Sequence, residues 1–207
     1  MEIPSTDTPI LYMTLGLPGA GKTYFAKQYA AKQGVPLIDV EWLRYDLFED
    51  PRYDTSEDKV LANLTDYMAE QFLSAGLSVV VDGLNSTRVR RHDLRKMARK
   101  YKVAPLVIWV QTDTNTAFER AHNRDRRNPY DKYAREFGDD EFERESMRTK
   151  QPQHEDYVVI SGKHLFRNQM NAVLRRLATV VVSEKKPKSV SLGGRVDLNR
   201  RRPRPRI

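Results

Sequence analysis

Residues 16–23, Gly16-Leu17-Pro18-Gly19-Ala20-Gly21-Lys22-Thr23, fit the pattern G-x-x-x-x-G-K-[ST]. That spacing turns backbone N–H groups toward phosphate oxygens at the start of a helix. Glycine lets the main chain approach an anion closely, the lysine reaches the β- and γ-phosphates, and the adjoining hydroxyl ligates Mg²⁺. Gly16, Pro18, Gly19, Ala20, Gly21, Lys22 and Thr23 are therefore candidate ATP-binding residues, Lys22 also catalytic and Thr23 also a metal ligand. At average residue frequencies, a chance match in a chain of this length has a probability of roughly one per cent.

A metal held by one hydroxyl needs an acid beside it. Val79-Val80-Val81-Asp82 reads as a buried strand ending in such an acid. Asp82 is thus a candidate to hold Mg²⁺, directly or through water, and to take part in catalysis. An ordinary strand-terminal acid or helix cap is the competing reading. Gly83 follows where motor ATPases usually carry a water-activating glutamate, and no N-K-x-D guanine-reading segment occurs. Both features disfavour motors and GTPases.

Transfer to a hydroxyl calls for a base near the acceptor and for cations around the moving phosphoryl group. Asp39 and Glu41 end an expected second strand, at the edge where open parallel sheets bind ligands, so either is a candidate base. Arg44 follows three residues after Glu41, on the same face if a helix begins there; a plain surface ion pair is the alternative. Arg120, Arg124, Arg126 and Arg127 crowd the segment before Asn128-Pro129, which reads as a lid over about residues 120–150. A lid arginine would close over ATP, exclude water and stabilise the transition state. A solvated helix end would have the same composition.

These side chains need a scaffold. The apolar run 10–15, between Pro9 and Gly16, predicts a first strand, and Phe25, Ala26, Tyr29 and Ala30 predict a helix stopped by Gly34 and Pro36. Strands follow at 35–40, 77–81, 103–110 and 157–160, and helices at 60–73, 88–101, 140–149 and 165–178. Thr116 with Glu119 gives a capping-box signal for one more helix. Alternating strands and helices predict an α/β P-loop NTPase fold, a three-layer sandwich with a five-stranded parallel sheet and helices on both faces.

The 207 residues suit one kinase domain over 1–183 and a basic disordered tail over 184–207. That tail carries nine Lys or Arg against two acids, so +7 of the net +8 belongs to it. In the body, 88–102 carries eight basic residues against Asp93, and 39–58 carries eight acids against Arg44 and Arg52. Such segregation suits a polyanionic partner or simply solvated helix faces. Absence of cysteine removes disulfide and thiolate zinc chemistry and predicts a reducing, cytoplasmic setting. No apolar run is long enough for a membrane helix, so no membrane association is expected.

The chain resembles the 5′-kinase domain of phage and bacterial polynucleotide kinases, within a wider group of zeta-toxin-like kinases. The likeness spans roughly 11–160 and rests on residues 16–23, Glu41-Trp42-Leu43-Arg44, Asp82-Gly83-Leu84-Asn85-Ser86-Thr87 and Asn123-Arg124-Asp125-Arg126, with Pro152 and Glu155 also fitting. It implies an Asp-x-x-Arg segment supplying a base for the 5′-hydroxyl and an arginine for a neighbouring phosphate. Glu41 stands where that aspartate is expected and is one methylene longer, which leaves Asp39 a rival; Arg44 becomes a substrate-binding residue. The resemblance further implies Arg126 as the catalytic lid arginine, Arg124 at the nucleotide, and Asn85, Thr87 and Arg88 at the acceptor. His122 replaces an arginine often found nearby. No D-x-D-x-T phosphatase motif is visible, so 3′-end processing is not expected.

The leading expectation is transfer of the ATP γ-phosphate to the 5′-hydroxyl of DNA or RNA, with the basic helix and tail contacting nucleic acid. A P-loop kinase acting on another hydroxyl, in a hydroxymethylated base, nucleotide sugar or small molecule, is the alternative. From another class, a nucleic-acid-binding ATP switch would use the same phosphate site.

Overall fold

The computed structural model describes residues 9–184. Strand β1 (Ile10–Leu15) is buried along its whole length, which fits its run of apolar residues. It pairs with β3 (Val79–Asp82) on one side and β4 (Ala104–Gln111) on the other. Strands β2 (Leu37–Asp39) and β5 (Tyr157–Ser161) complete a parallel sheet in the order β2-β3-β1-β4-β5. Parallel neighbours require crossovers, which are supplied by the helices α1 (Lys22–Gln33), α2 (Val40–Leu47), α3 (Thr55–Ser74), α4 (Arg88–Lys100), α5 (Thr114–His122) and α6 (Asp139–Arg148), and α7 (Phe166–Glu184) follows β5.

Alternation along β1 divides the core in two. Leu11, Met13 and Leu15 pack with Leu61 and Leu73 of α3 and Leu94 of α4. Ile10 and Tyr12 pack with Phe25 and Tyr29 of α1 and Val173 and Leu177 of α7. Both faces are thereby covered, as a parallel sheet requires. The strand order reverses beside β1, so the loop leaving β1 opens at the switch point where such sheets bind ligands.

Several boundaries differ from the sequence expectation, each for a local reason. β2 is shorter than 35–40 because Asp39 caps α2 at once, accepting a hydrogen bond from the Trp42 N–H. α3 begins at Thr55 rather than near 60, since the Asp54 carboxylate accepts from the Ser56 and Glu57 N–H groups. The cap of α5 is Asp113, which accepts from Thr116, not Thr116 itself. α7 runs past residue 178 to Glu184, with no glycine or proline to stop it. The basic tail expected over 184–207 lies outside the described residues apart from Glu184. No helix of the described residues is long and apolar enough to cross a membrane.

Candidate active site

The loop after β1 is shaped for an anion. Gly19 is left-handed (φ 75°), and a Cβ there would strike the Ala117 carbonyl, so α5 packs directly on the loop. Gly21 occupies the N-cap of α1 without a side-chain hydrogen bond, and the first turn of α1 holds no acid. The first N–H groups of α1 and the positive end of its dipole are left for an incoming anion.

Lys22 lies over this loop. Its ammonium donates to the Gly16 carbonyl at 3.0 Å and the Leu17 carbonyl at 2.8 Å. Burial pushes its pKa down; the charges of Asp82, Glu41 and Glu145 oppose that shift, and Arg124 adds to it. Lys22 therefore shares one electrostatic space with the β3 acid, α2, α6 and the lid.

Asp82 is buried at the end of β3 and accepts the Thr14 hydroxyl at 2.5 Å and the Thr23 hydroxyl at 2.6 Å. Burial and the charge of Asp39 push its carboxyl up, while the two threonine hydrogen bonds and Lys22 pull it back. No group of three or more His, Cys, Asp or Glu side chains stands ready for a metal among the described residues. Thr23 and Asp82 fit an ion that keeps most of its ligands as water and phosphate oxygens, which is the habit of Mg²⁺. Thr14 escaped the sequence reading; its only signal was a hydroxyl inside an otherwise apolar strand.

The two candidate bases differ. Asp39 is engaged, capping α2 and pairing with Lys27 at 3.1 Å. Glu41, in the first turn of α2, keeps a buried Oε2 with no hydrogen-bond partner among the described residues. Burial raises its pKa to about 7, with Arg44 and Arg135 opposing the shift and Asp39 and Asp82 adding to it. A carboxylate whose pKa lies near neutrality, buried and unpartnered, is what general-base work requires.

Arg44 does not lie open to a substrate, contrary to expectation. It is 2% exposed, and its guanidinium is held by Glu57 at 2.8 Å and Asp58 at 2.5 Å rather than by Glu41. Glu57 is equally buried and also accepts the N–H groups of Arg52 at 2.8 Å and Tyr53 at 2.9 Å. The pair fixes the 52–57 loop, and removing one partner would cost about 3–5 kcal/mol by stranding the other charge.

The segment after Asp82 is likewise structural in its contacts. Asn85 is buried and donates to the Val81 carbonyl at 2.9 Å, the Thr87 hydroxyl caps α4, and Arg88 Nε donates to the Gln151 carbonyl at 3.2 Å. Along α4, Arg90 pairs with Asp66 and Lys100 with Glu70, each at 2.7 Å, while fully buried Arg91 pairs with Glu155 at 2.9 Å. Arg95 donates to the His154 carbonyl. Most basic residues of this helix thus also tie it to neighbouring elements.

The arginines expected to form a lid lie in the segment between α5 and α6. Arg124 pairs with Asp131 at 2.9 Å, and half-exposed Arg126 donates to the Lys132 carbonyl at 3.2 Å and approaches Glu136 at 3.5 Å. Tyr130 meets Tyr24 of α1 edge-on at 4.8 Å, and Tyr133 packs on Tyr45 of α2 at 5.0 Å. Arg135 lies 4.3 Å over the Tyr53 ring. This segment therefore rests on the helix that follows the phosphate loop and on the helix that carries Glu41. The sequence pointed to Arg124 and Arg126 but gave no sign of Tyr53 or Arg135, which meet only through the fold.

A family model described as an AAA domain matches residues 11–152. No curated protein matches the sequence. Among solved structures, a sugar kinase from a Janibacter species has 12% identity and a TM-score of 0.62, with 84% of this chain and 97% of that one covered. A gluconokinase from Sinorhizobium meliloti has 17% identity and a TM-score of 0.61, covering 86% and 96%. An APS kinase from Mycobacterium tuberculosis, in complex with AMPPNP and APS, has 15% identity and a TM-score of 0.60, covering 83% and 98%. At these identities the likeness is one of fold.

Proposed function

The chain belongs to this AAA-domain family, and from that premise we propose that it is a P-loop kinase moving the γ-phosphate of ATP to a hydroxyl group of a small molecule. The observation that carries the reading is the buried, unpartnered Glu41 Oε2, which shares its electrostatic surroundings with Lys22 and Asp82. A nucleotide switch has no use for such a base, whereas a transferase needs one. The sugar kinase, gluconokinase and APS kinase folds support a small acceptor. So do the internal ion pairs of α4, which leave less basic surface for a nucleic-acid strand.

The residues divide the work as follows. The backbone of residues 16–23 holds the ATP phosphates, and Lys22 leaves the Gly16 and Leu17 carbonyls to pair with phosphate oxygens. Thr23 and Asp82 hold Mg²⁺, which when bound neutralises charge on the transferred group. Glu41 takes the proton of the acceptor hydroxyl as the oxygen attacks. Arg124 and Arg126 lie over the reacting oxygens and exclude water when the lid is down.

The test is incubation with γ-labelled ATP and Mg²⁺ beside sugars, sugar acids, nucleosides and 5′-hydroxyl oligonucleotides. Label on a small hydroxyl compound supports the reading. Label on oligonucleotides alone would replace it with the 5′-kinase expectation, and label only in inorganic phosphate would remove phosphoryl transfer to a hydroxyl.

A further inference from the structure

Tyr53 is held in an unusual way. Its backbone is left-handed (φ 57°), a conformation a bulky residue adopts only when its surroundings enforce it. The enforcing group is the buried Glu57 carboxylate, which accepts the Tyr53 N–H while gripping Arg44. Two guanidinium groups lie over the Tyr53 ring, that of Arg44 on α2 at 4.7 Å and that of Arg135 in the segment between α5 and α6 at 4.3 Å. The ring is covered, which leaves its edge and hydroxyl for a ligand.

The donors around that hydroxyl are open. The Tyr53 phenol makes no hydrogen bond among the described residues, and its surroundings include Glu41, Arg44, Arg135 and Arg126. Arg135 uses Nη2 on Glu141 and packs on Phe137 at 5.0 Å; its Nε and Nη1 have no hydrogen-bond partner among the described residues. Its side chain is 22% exposed. Arg44, the arginine that the sequence offered for this duty, is closed off by two carboxylates. Beside the Glu41 base, then, stand a phenol O–H and two guanidinium nitrogens, a set rich in donors and carrying positive charge.

We propose that Tyr53 and Arg135 bind an anionic oxygen group, a carboxylate or a phosphate, carried by the acceptor whose hydroxyl Glu41 deprotonates. The inference rests on the kinase reading above and narrows its substrate class to hydroxy acids and phosphorylated hydroxyl compounds. Because Arg135 comes from the lid and Tyr53 from the 52–57 loop, the acceptor anion bridges the two and holds the lid over ATP. Charge-assisted hydrogen bonds to a guanidinium set the size of the effect at about tenfold or more in affinity.

The experiment compares gluconate, glucose 6-phosphate and the neutral glucitol as acceptors with the full chain, Mg²⁺ and γ-labelled ATP. Wild type is expected to show at least about tenfold higher kcat/KM for one of the two anions than for glucitol. Tyr53→Phe, which keeps the ring under Arg135, and Arg135→Ala should each raise KM for that anion about tenfold, leave KM for ATP unchanged and erase the preference. Arg135→Lys should recover part of it. A greater response to gluconate assigns a carboxylate, and a greater response to glucose 6-phosphate a phosphate. Equal use of glucitol, or variants that keep the anion preference, would overturn the clamp and leave the kinase reading standing. If none of the three is labelled, calorimetry with Mg²⁺ and AMPPNP decides the clamp separately from the kinase reading. Anion binding lost in Arg135→Ala supports it, and no anion binding by wild type overturns it.

Discussion

The donor and acceptor halves of the site are built in different ways. The phosphate loop is one continuous stretch whose shape comes from backbone: glycine conformations, an uncapped helix start, and a lysine resting on its own loop carbonyls. Its distant acid, Asp82, is engaged by two threonine hydroxyls. The acceptor half is assembled from side chains on α2, the 52–57 loop and the lid. Among the described residues it holds a carboxylate oxygen without a partner, a tyrosine with a left-handed backbone, and an arginine, Arg135, that is bound to Glu141 through Nη2 alone. A preorganised backbone serves a ligand that is the same in every turnover, while unsatisfied side chains mark the part that must discriminate.

Substitutions can break or sharpen that contrast. Lys22→Ala should remove the only side-chain cation of the donor loop and lower transfer by at least about 10³-fold without loss of stability, read by single-turnover rate and thermal melting. If transfer persisted, the loop would not be the donor site. Glu41→Gln should lower kcat about 10²-fold or more with KM for ATP unchanged.

The same variant should be the more stable protein at pH 8. Glu41 has a folded pKa near 7, above its ordinary value of 4.5, so the folded state binds the extra proton between those values. Stability therefore falls as pH rises from about 4.5 to 7 and stays reduced above it, by up to about 3 kcal/mol, and glutamine abolishes this loss. Denaturant unfolding at pH 5 and pH 8 checks the sign; a Glu41→Gln protein less stable than wild type at pH 8 would mean the carboxylate has a partner.

Arg126→Ala should cost about 10²-fold in kcat and little in stability, since this half-exposed side chain makes one exposed hydrogen bond, to the Lys132 carbonyl, and a loose contact with Glu136, both within its own segment. Thr14→Val should have the smallest effect, about 1 kcal/mol of stability and less than tenfold in rate, because Thr23 still holds Asp82. A large loss on Thr14→Val would show that the donor half depends on side chains as much as the acceptor half does.

This contrast also explains what could be read before the fold was known. The phosphate loop lies in consecutive residues, and the apolar strands announce themselves by burial on both faces, so β1, β3, β4 and the sandwich were legible. Asp82 was legible because it ends an apolar run. The capping of α3 by Asp54 was present as a local pattern and was passed over in favour of the apolar spacing that starts later. Arg44 was misjudged because Glu57 and Asp58 lie thirteen and fourteen residues away, and only the turn between α2 and α3 folds them back. Tyr53 and Arg135 are more than eighty residues apart in the sequence and belong to no motif. The same holds for α4, whose basic residues looked like surface charge until their partners on α3 and before β5 were in place.

The most direct measurement is the pH dependence of single-turnover γ-phosphate transfer to the best small acceptor, in wild type and Glu41→Gln. Wild type should gain rate as pH rises through about 7, where burial places the Glu41 pKa, and the variant should be slow and flat across that range. A variant that keeps the same rise, or a wild type that releases its label only as inorganic phosphate, would contradict a kinase with Glu41 as its base.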